Sequence, residues 1–129
     1  MQQVKTHKLL VVEDASEVAD IIRIAFRRTE VEIYHTENGP SALKFLEHTI
    51  PDVLILDIGM PGMSGWDVLE IIRQDERLRE IPVIVLTSYT DSNNQRIARQ
   101  HEVEAFLQKP IDLTELRNTV DKALYLRKG

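Results

Sequence analysis

Three short, continuous apolar runs separated by longer amphipathic stretches constrain the fold of this chain more than any other feature. The runs occupy residues 9–12, 53–56 and 83–86, and each is built only from Val, Leu and Ile. Runs of this length and composition are typical of parallel strands covered on both faces. Two weaker strands are predicted at 31–34, where apolar and polar residues alternate, and at 105–107; both fit the edges of a sheet.

Amphipathic helical patterns occupy the intervals between the predicted strands. Their apolar positions are Val18, Ile21, Ile22 and Ala25; Ala42, Leu43 and Leu46 after Pro40; Trp66, Leu69 and Ile72 after Gly65; and Leu113, Leu116, Val120, Ala123 and Leu124. A fourth helix over 91–101 has a poor pattern and is expected to be the loosest, while Asp112 is the predicted N-cap of the fifth. Strands alternating with helices predict an α/β fold, a parallel sheet with helices on both faces.

Composition sets the broad class of protein. The chain has 129 residues, of which 43% are hydrophobic and 29% charged, so we expect a single globular domain over 1–129. The net charge of −5 argues against direct nucleic-acid binding through a broad basic face, and the lack of cysteine excludes disulfides and thiolate chemistry. No apolar leader is visible, and no run approaches the roughly 20 residues that cross a bilayer. We therefore expect a cytoplasmic protein without membrane contact.

Polar residues follow the predicted strands at the points where the strands end. Glu13 and Asp14 follow the first run, Asp57 the second and Thr87 the third, and Lys109 follows the last short strand. The carboxyl ends of parallel strands form the usual binding crevice of an open α/β sheet. We therefore expect three carboxylates, a hydroxyl and an ammonium group to converge at one edge of the sheet.

This combination of groups has a specific chemical logic. Carboxylates a few ångströms apart repel one another unless a cation joins them, and Mg²⁺ is the natural cation for oxygen ligands. Zinc and copper are not favoured, because cysteine is absent and the four histidines are scattered and assigned no chemical role. A carboxylate beside Mg²⁺ can attack a phosphoryl group and form an acyl phosphate, whose charge a lysine and a hydroxyl would help to bind.

Each of these residues also has an ordinary structural interpretation. Glu13 and Asp14 could cap the first helix, and Asp57 could be a turn residue. Thr87 could mark the start of a helix, and Lys109 could be a solvated surface lysine. Their coincidence at successive strand ends favours a shared site.

Four segments, in order and with suitable gaps, resemble the receiver domains of two-component response regulators. Residues 9–14 are similar to the opening strand and acidic pair, 51–65 to the phosphoacceptor strand and loop, 82–88 to the strand with the switch hydroxyl, and 106–110 to the closing motif. The resemblance covers roughly 8–126 and is strongest to single-domain receivers of the chemotaxis type. It implies a flavodoxin-like, doubly wound sheet of strand order 2-1-3-4-5 with five helices and no output domain.

The resemblance also implies roles for the residues of the predicted site. Asp57 would accept a phosphoryl group from a histidine kinase or a histidine phosphotransfer protein. Mg²⁺ would be bound by Glu13, Asp14, Asp57 and the backbone carbonyl of Gly59. Lys109 would pair with the phosphoryl group, and its peptide bond to the following proline would be cis. The protein would then be a signalling domain that catalyses only its own phosphorylation and dephosphorylation.

The output of such a domain would be a change of surface. The resemblance implies that Thr87 moves toward the phosphoryl group and that Phe106 turns inward. This would remodel the face built by the fourth helix, the fifth strand and the fifth helix, where a downstream protein binds. Whether two copies also form a homodimer through this face is left open.

Some positions depart from the family pattern or bear on phosphorylation lifetime. Phe106 stands where tyrosine is frequent, Glu102 where glycine is common and an altered helix end is expected, and Ile111 where phenylalanine is frequent. Gly59 and Tyr89 occupy positions that tune hydrolysis of the phosphoaspartate in the family. We expect Tyr89 to screen the acyl phosphate partly from water and Gly59 to leave its side open.

Two other functions remain as alternatives. A phosphorylation-independent interaction module on the same fold typically lacks an acidic ligand or the lysine, and all of these are present here. A Mg²⁺-dependent phosphatase also attacks through an aspartate. That class typically places a second aspartate two residues after the nucleophile, where this chain has Gly59, and it needs a cap for which the chain is short.

Overall fold

A computed structural model describes residues 5–88, 96 and 102–128 of the chain. The described strands are β1 (His7–Val12), β2 (Val31–Thr36), β3 (Val53–Asp57), β4 (Val83–Thr87) and β5 (Ala105–Gln108). The described helices are α1 (Ser16–Ala25), α2 (Gly39–Leu46), α3 (Gly65–Gln74) and α4 (Leu113–Lys128), the last being the fifth helix of the sequence prediction. Tyr89 and, apart from residue 96, the helix predicted at 91–101 lie outside the described residues.

The five strands form one parallel sheet of order β2-β1-β3-β4-β5, which confirms the predicted topology. The two weakly apolar strands, β2 and β5, lie at its edges, as expected. The register pairs Val12 with Leu56, Asp57 with Leu86 and Thr87 with Gln108. The carboxyl ends of neighbouring strands therefore finish almost level, along what we call the carboxyl edge of the sheet.

Alternate residues of the central strands build two separate apolar cores, one on each face of the sheet. The core under α1 and α4 includes Leu9, Val11, Ile55, Ile84 and Leu86. The core under α2 and α3 includes Leu10, Val12, Leu54, Leu56 and Val85. Burial on both faces explains why these strands read as continuous apolar runs. Among the described residues, no helix combines the length and apolar character needed to span a membrane.

Side-chain caps fix where the helices begin. Asn38 Oδ1 accepts a hydrogen bond of 2.8 Å from the backbone N–H of Ser41, with proline in the first turn of α2. Ser64 and Asp67 form a reciprocal capping box at the start of α3. Asp112 accepts from the N–H three residues later at 3.0 Å, which confirms the predicted N-cap of α4.

Gly65 allows α3 to begin in close contact with the end of β3. A Cβ atom at this position would lie 2.4 Å from the carbonyl oxygen of Asp57 and 2.7 Å from Cα of Ile58. Both atoms belong to the backbone, so a side chain could not be accommodated by a rotamer change. The glycine thus fixes how closely the helix approaches the residues that follow β3.

Candidate metal centre

Three carboxylates meet at the carboxyl edge, between the neighbouring strands β1 and β3. Glu13 and Asp14 directly follow β1, and Asp57 is the last residue of β3. Each offers an oxygen, and these atoms all lie within 4.8 Å of one another. Glu13 and Asp57 are buried, whereas Asp14 is exposed. The predicted convergence of the acidic residues is therefore present in the structure.

Lys109, which follows β5, supplies the positive charge of the cluster. Its Nζ lies 2.7 Å from Glu13 Oε1 and donates a hydrogen bond of 3.2 Å to Asp57 Oδ2. Only 20% of its side chain is exposed, so the interpretation as a solvated surface lysine is wrong. The ammonium group bridges two carboxylates that come from different strands.

Glu13 and Asp14 do not occupy the capping position of α1. The N-cap residue is Ala15, whose backbone N–H donates a hydrogen bond of 3.1 Å to Glu13 Oε2. The interpretation of the acidic pair as an N-cap is therefore wrong. The other oxygen, Glu13 Oε1, is buried and receives no hydrogen bond of regular geometry from the described residues, although Lys109 contacts it as an ion pair.

The electrostatics of the cluster reflect its burial. Burial raises the pKa of Glu13 to about 7, and the nearby Asp57 carboxylate adds to this rise, while Lys109 and the Ala15 N–H oppose it. Burial alone would lower the pKa of Lys109, but its contacts with Glu13 and Asp57 raise it above its ordinary value. The lysine thus stays charged, whereas burial favours the protonated form of the glutamate.

Asp57 also stabilises the turn that follows β3. Its Oδ1 accepts a hydrogen bond of 2.9 Å from the backbone N–H of Gly59, so the aspartate is a turn residue as well as a member of the cluster. A Cβ atom at position 59 would lie 3.5 Å from the same oxygen. The glycine therefore keeps this side of the carboxylate free of a side chain.

The remaining predicted residues lie on β4 and β5, next to the acidic cluster. Thr87 is buried at the end of β4, and its carbonyl oxygen accepts a hydrogen bond of 2.8 Å from the backbone N–H of Lys109. Phe106 is half-buried on β5 and packs against the core under α2 and α3, while Ile111 packs against the other core. The peptide bond between Lys109 and Pro110 is cis, as predicted.

Glu102, just before β5, has an unusual backbone conformation for a residue with a side chain. Its φ of 54° lies in the left-handed region that favours glycine. The end of the fourth helix, where the sequence predicts an altered turn, lies outside the described residues. Glu102 itself adopts a backbone conformation that is strained for a residue with a side chain.

His35 on β2 lies next to the cluster and was not predicted from the sequence. Its Nε2 lies 2.7 Å from the carbonyl oxygen of Glu13, and the Glu13 N–H donates to the Thr36 carbonyl at 3.1 Å. A lone histidine on an edge strand carries no motif. The register of β2 against β1 was the signal that could have placed it, since His35 pairs with Val11, two residues before Glu13.

The donor atoms of the cluster fit a hard divalent cation. Among the described residues, the group that could hold a metal ion consists of carboxylate oxygens alone, which suits Mg²⁺ better than softer metals. The buried Glu13 Oε1 has Lys109 as its ion-pair partner at 2.7 Å, and Glu13 is one of the three carboxylates that meet in the cluster. With all groups ionised, three carboxylates and one ammonium group leave a formal charge of −2, which a divalent ion would neutralise.

Comparisons with known proteins agree with this arrangement. The sequence model of the family "Response regulator receiver domain" matches residues 9–121. The chain is 30% identical to the polar-differentiation response regulator DivK of Brucella ovis, over 92% of this chain and 97% of that protein. It superimposes with a TM-score of 0.85 on the signal receiver domain of a signal transduction histidine kinase from Syntrophus aciditrophicus, at 30% identity, covering 93% of this chain and 91% of that one. The receiver domain of Francisella response regulator 1452 also gives a TM-score of 0.85, at 27% identity, covering 96% and 100%.

Proposed function

The chain belongs to the response regulator receiver domain family, and from this premise we propose that Asp57 accepts a phosphoryl group from a histidine kinase or a histidine phosphotransfer protein. The observation that carries the proposal is the position of Asp57. This carboxylate ends a central strand, is nearly buried, and lies between a lysine and two further carboxylates. The acyl phosphate would make the protein a switch in signal transduction rather than an enzyme with a separate substrate.

We propose that phosphorylation depends on Mg²⁺ held by Glu13, Asp14, Asp57 and the backbone carbonyl of Gly59. When bound, the ion would neutralise negative charge on the transferring group and align its oxygens. The formal charge of −2 and the raised pKa of Glu13 support this assignment, because both mark a cluster with too little positive charge. Binding would also favour ionised Glu13, since a metal ligand has to be deprotonated.

The chain's own residues account for the transfer step. An oxygen of the Asp57 carboxylate attacks phosphorus, an O–P bond forms, and the N–P bond of the donor phosphohistidine breaks, with its electron pair left on the imidazole. Lys109, now 3.2 Å from Asp57 Oδ2, would exchange this contact for an oxygen of the phosphoryl group. Burial of Asp57 keeps the attacking oxygen close to these charges and away from bulk water.

The proposed output is a shift in the population of two conformations. Thr87 would bind the phosphoryl group, and Phe106 would move from its half-buried position toward the space that Thr87 leaves. These residues occupy neighbouring strands, and the Lys109 N–H hydrogen bond to the Thr87 carbonyl joins the ends of those strands. A downstream protein would read the change on the face that includes β5 and α4. Because Phe106 has no hydroxyl, this coupling would act through packing alone.

The test is phosphorylation by a small acyl phosphate, such as acetyl phosphate, with and without Mg²⁺. We expect intact-mass measurement to show one added phosphoryl group only when Mg²⁺ is present, and peptide mapping to place it on Asp57. Asp57→Asn should abolish the modification. Asp52→Asn is the matched control, because Asp52 accepts a hydrogen bond from the Lys8 N–H at the other end of the sheet, and it should behave like wild type.

Two results would contradict the proposal. Unmodified wild-type protein in the presence of Mg²⁺ and donor would favour the phosphorylation-independent interaction module. Continuous turnover of a generic phosphomonoester would favour the phosphatase. If the acyl phosphate reacts as expected, phosphotransfer from a panel of histidine kinases would then identify the natural donor.

A further inference from the structure

Both backbone polar groups of Glu13, its N–H and its carbonyl, contact β2. Its N–H donates a hydrogen bond of 3.1 Å to the carbonyl of Thr36. Its carbonyl oxygen lies 2.7 Å from His35 Nε2. The first contact continues the pairing of β1 with β2 by one residue. The second is made by a side chain, so it depends on which residue occupies position 35.

The chemistry of this contact defines its direction. A carbonyl oxygen can only accept, so Nε2 of His35 carries the hydrogen and donates it to Glu13. The Glu13 carbonyl and the Asp14 N–H belong to the same planar peptide unit. Fixing the direction of that carbonyl therefore fixes the peptide that joins the two consecutive acidic residues.

We propose that His35 is a positioning residue of the metal centre, which sets the Glu13–Asp14 peptide so that both carboxylates reach the bound ion. The inference deepens the proposed function and depends on it, because it takes the acidic cluster to be the Mg²⁺ site. The position of Asp14 should depend most on the His35 contact. It is the exposed member of the three, whereas Glu13 is also fixed by Ala15 and Lys109.

A donor at position 35, rather than a ring, is the property that the inference requires. Glutamine can present an amide N–H at about the reach of Nε2, whereas methionine has a similar length and no donor. His48 gives a matched control, because 81% of its side chain is exposed and its ring lies 3.8 Å from the carboxylate of Glu47. These variants separate loss of the hydrogen bond from loss of a histidine.

The experiment measures Mg²⁺ affinity by calorimetry for wild type, His35→Met, His35→Gln and His48→Met. We expect His35→Met to weaken Mg²⁺ binding about three- to tenfold, the usual effect of losing one hydrogen bond, and His35→Gln to stay within about twofold of wild type. His48→Met should bind as wild type does. In the acetyl phosphate reaction, His35→Met should need more Mg²⁺ for half-maximal rate yet reach about the wild-type rate at saturation.

The outcomes distinguish this inference from the function on which it rests. If wild type binds no Mg²⁺, the proposed function fails and the inference with it. If wild type binds but His35→Met binds equally well, or His35→Gln weakens binding as much as His35→Met, only the role of His35 is overturned. Lower unfolding free energy in EDTA with unchanged Mg²⁺ affinity would also overturn it. Should the methionine variant not fold, His35→Leu provides the same donor-free comparison.

Discussion

Arg73, at the amino edge of the sheet where the strands begin, donates to backbone carbonyls, whereas the ammonium group of Lys109 at the carboxyl edge contacts the carboxylates of Glu13 and Asp57. At the amino edge, Arg73 Nη1 donates to the carbonyls of Arg79 and Ile81 at 3.0 and 2.9 Å. At the carboxyl edge, the buried carboxylates of Glu13 and Asp57 share a single lysine. At the carboxyl edge, two buried carboxylates thus depend on one ammonium group for compensation of their charge.

This difference distinguishes residues that stabilise the fold from residues that are suited to bind a ligand. The guanidinium of Arg73, at the end of α3, stabilises the loop before β4 through its hydrogen bonds to the Arg79 and Ile81 carbonyls. A buried carboxylate with a raised pKa costs free energy until a proton or a cation arrives. Loss of the Arg73 hydrogen bonds at the amino edge should therefore lower stability and leave ion binding unchanged. Removal of acidic charge at the carboxyl edge should instead raise stability and weaken ion binding.

The largest expected effect is the pH dependence of stability that Glu13 causes. Below about pH 4.5 its carboxyl group is protonated in both the folded and the unfolded chain. Between 4.5 and about 7 the unfolded chain loses this proton while the folded chain keeps it, so folding stability falls as pH rises. The full loss, reached above about pH 7, is about 3 to 4 kcal/mol, because the pKa rises from 4.5 to about 7 and one pKa unit corresponds to about 1.4 kcal/mol.

Urea unfolding of wild type and Glu13→Gln in EDTA, at about pH 5 and about pH 8, measures this contribution. Groups outside the cluster titrate alike in both proteins, so wild type should lose more stability than the variant as pH rises. Added Mg²⁺ should stabilise wild type more at the higher pH. An equal change of unfolding free energy with pH in the two proteins would show that the pKa of Glu13 is not raised by folding.

A side chain added at Gly65, next to the carboxyl edge, should lower both the stability of the fold and the rate of phosphorylation. The Cβ atom in Gly65→Ala would press on the backbone of Asp57 and Ile58, which cannot move aside alone. We expect a loss of about 2 kcal/mol in unfolding free energy, typical of overpacking, together with slower phosphorylation by acetyl phosphate. Gly62→Ala is the control: Gly62 has a φ of 76° and nothing within 4 Å, so alanine costs only backbone strain. Normal phosphorylation of Gly65→Ala would argue against this coupling.

A smaller effect is expected at the amino edge, from Arg73→Met. Methionine keeps most of the apolar stem but removes the hydrogen bonds to the Arg79 and Ile81 carbonyls. We expect a loss of about 1–2 kcal/mol in unfolding free energy. The Mg²⁺ affinity of the variant should equal that of wild type. Arg79→Met, at an exposed position, should change neither quantity; a change in Mg²⁺ affinity in Arg73→Met would show that the two edges are not independent.

Much of the fold could be read from the sequence because the physical signals were local. Strands buried on both faces read as continuous apolar runs, and the alternating run at 31–34 became the edge strand β2. Helix starts followed from caps such as Asp112. The strand order came instead from the family resemblance, because hydrophobic patterns do not specify which strands are neighbours.

The charged residues of the site could be predicted from the sequence, but the contacts that position them could not. Consecutive strand ends placed Glu13, Asp57 and Lys109 together without knowledge of any distance. The contact of His35 with the Glu13 carbonyl depends on strand register, which one sequence does not encode visibly. The left-handed backbone of Glu102 was also hidden, because residue type favoured another conformation there.

The backbone hydrogen bond from Lys109 to the Thr87 carbonyl has a consequence for the tolerance of the site to substitution. It joins the ammonium-bearing residue and the hydroxyl-bearing residue through one strand pair at the margin of the sheet. Their spacing is therefore set by a single backbone pairing, so substitutions in the helices or on the exposed surface that leave this pairing intact should also leave the spacing intact.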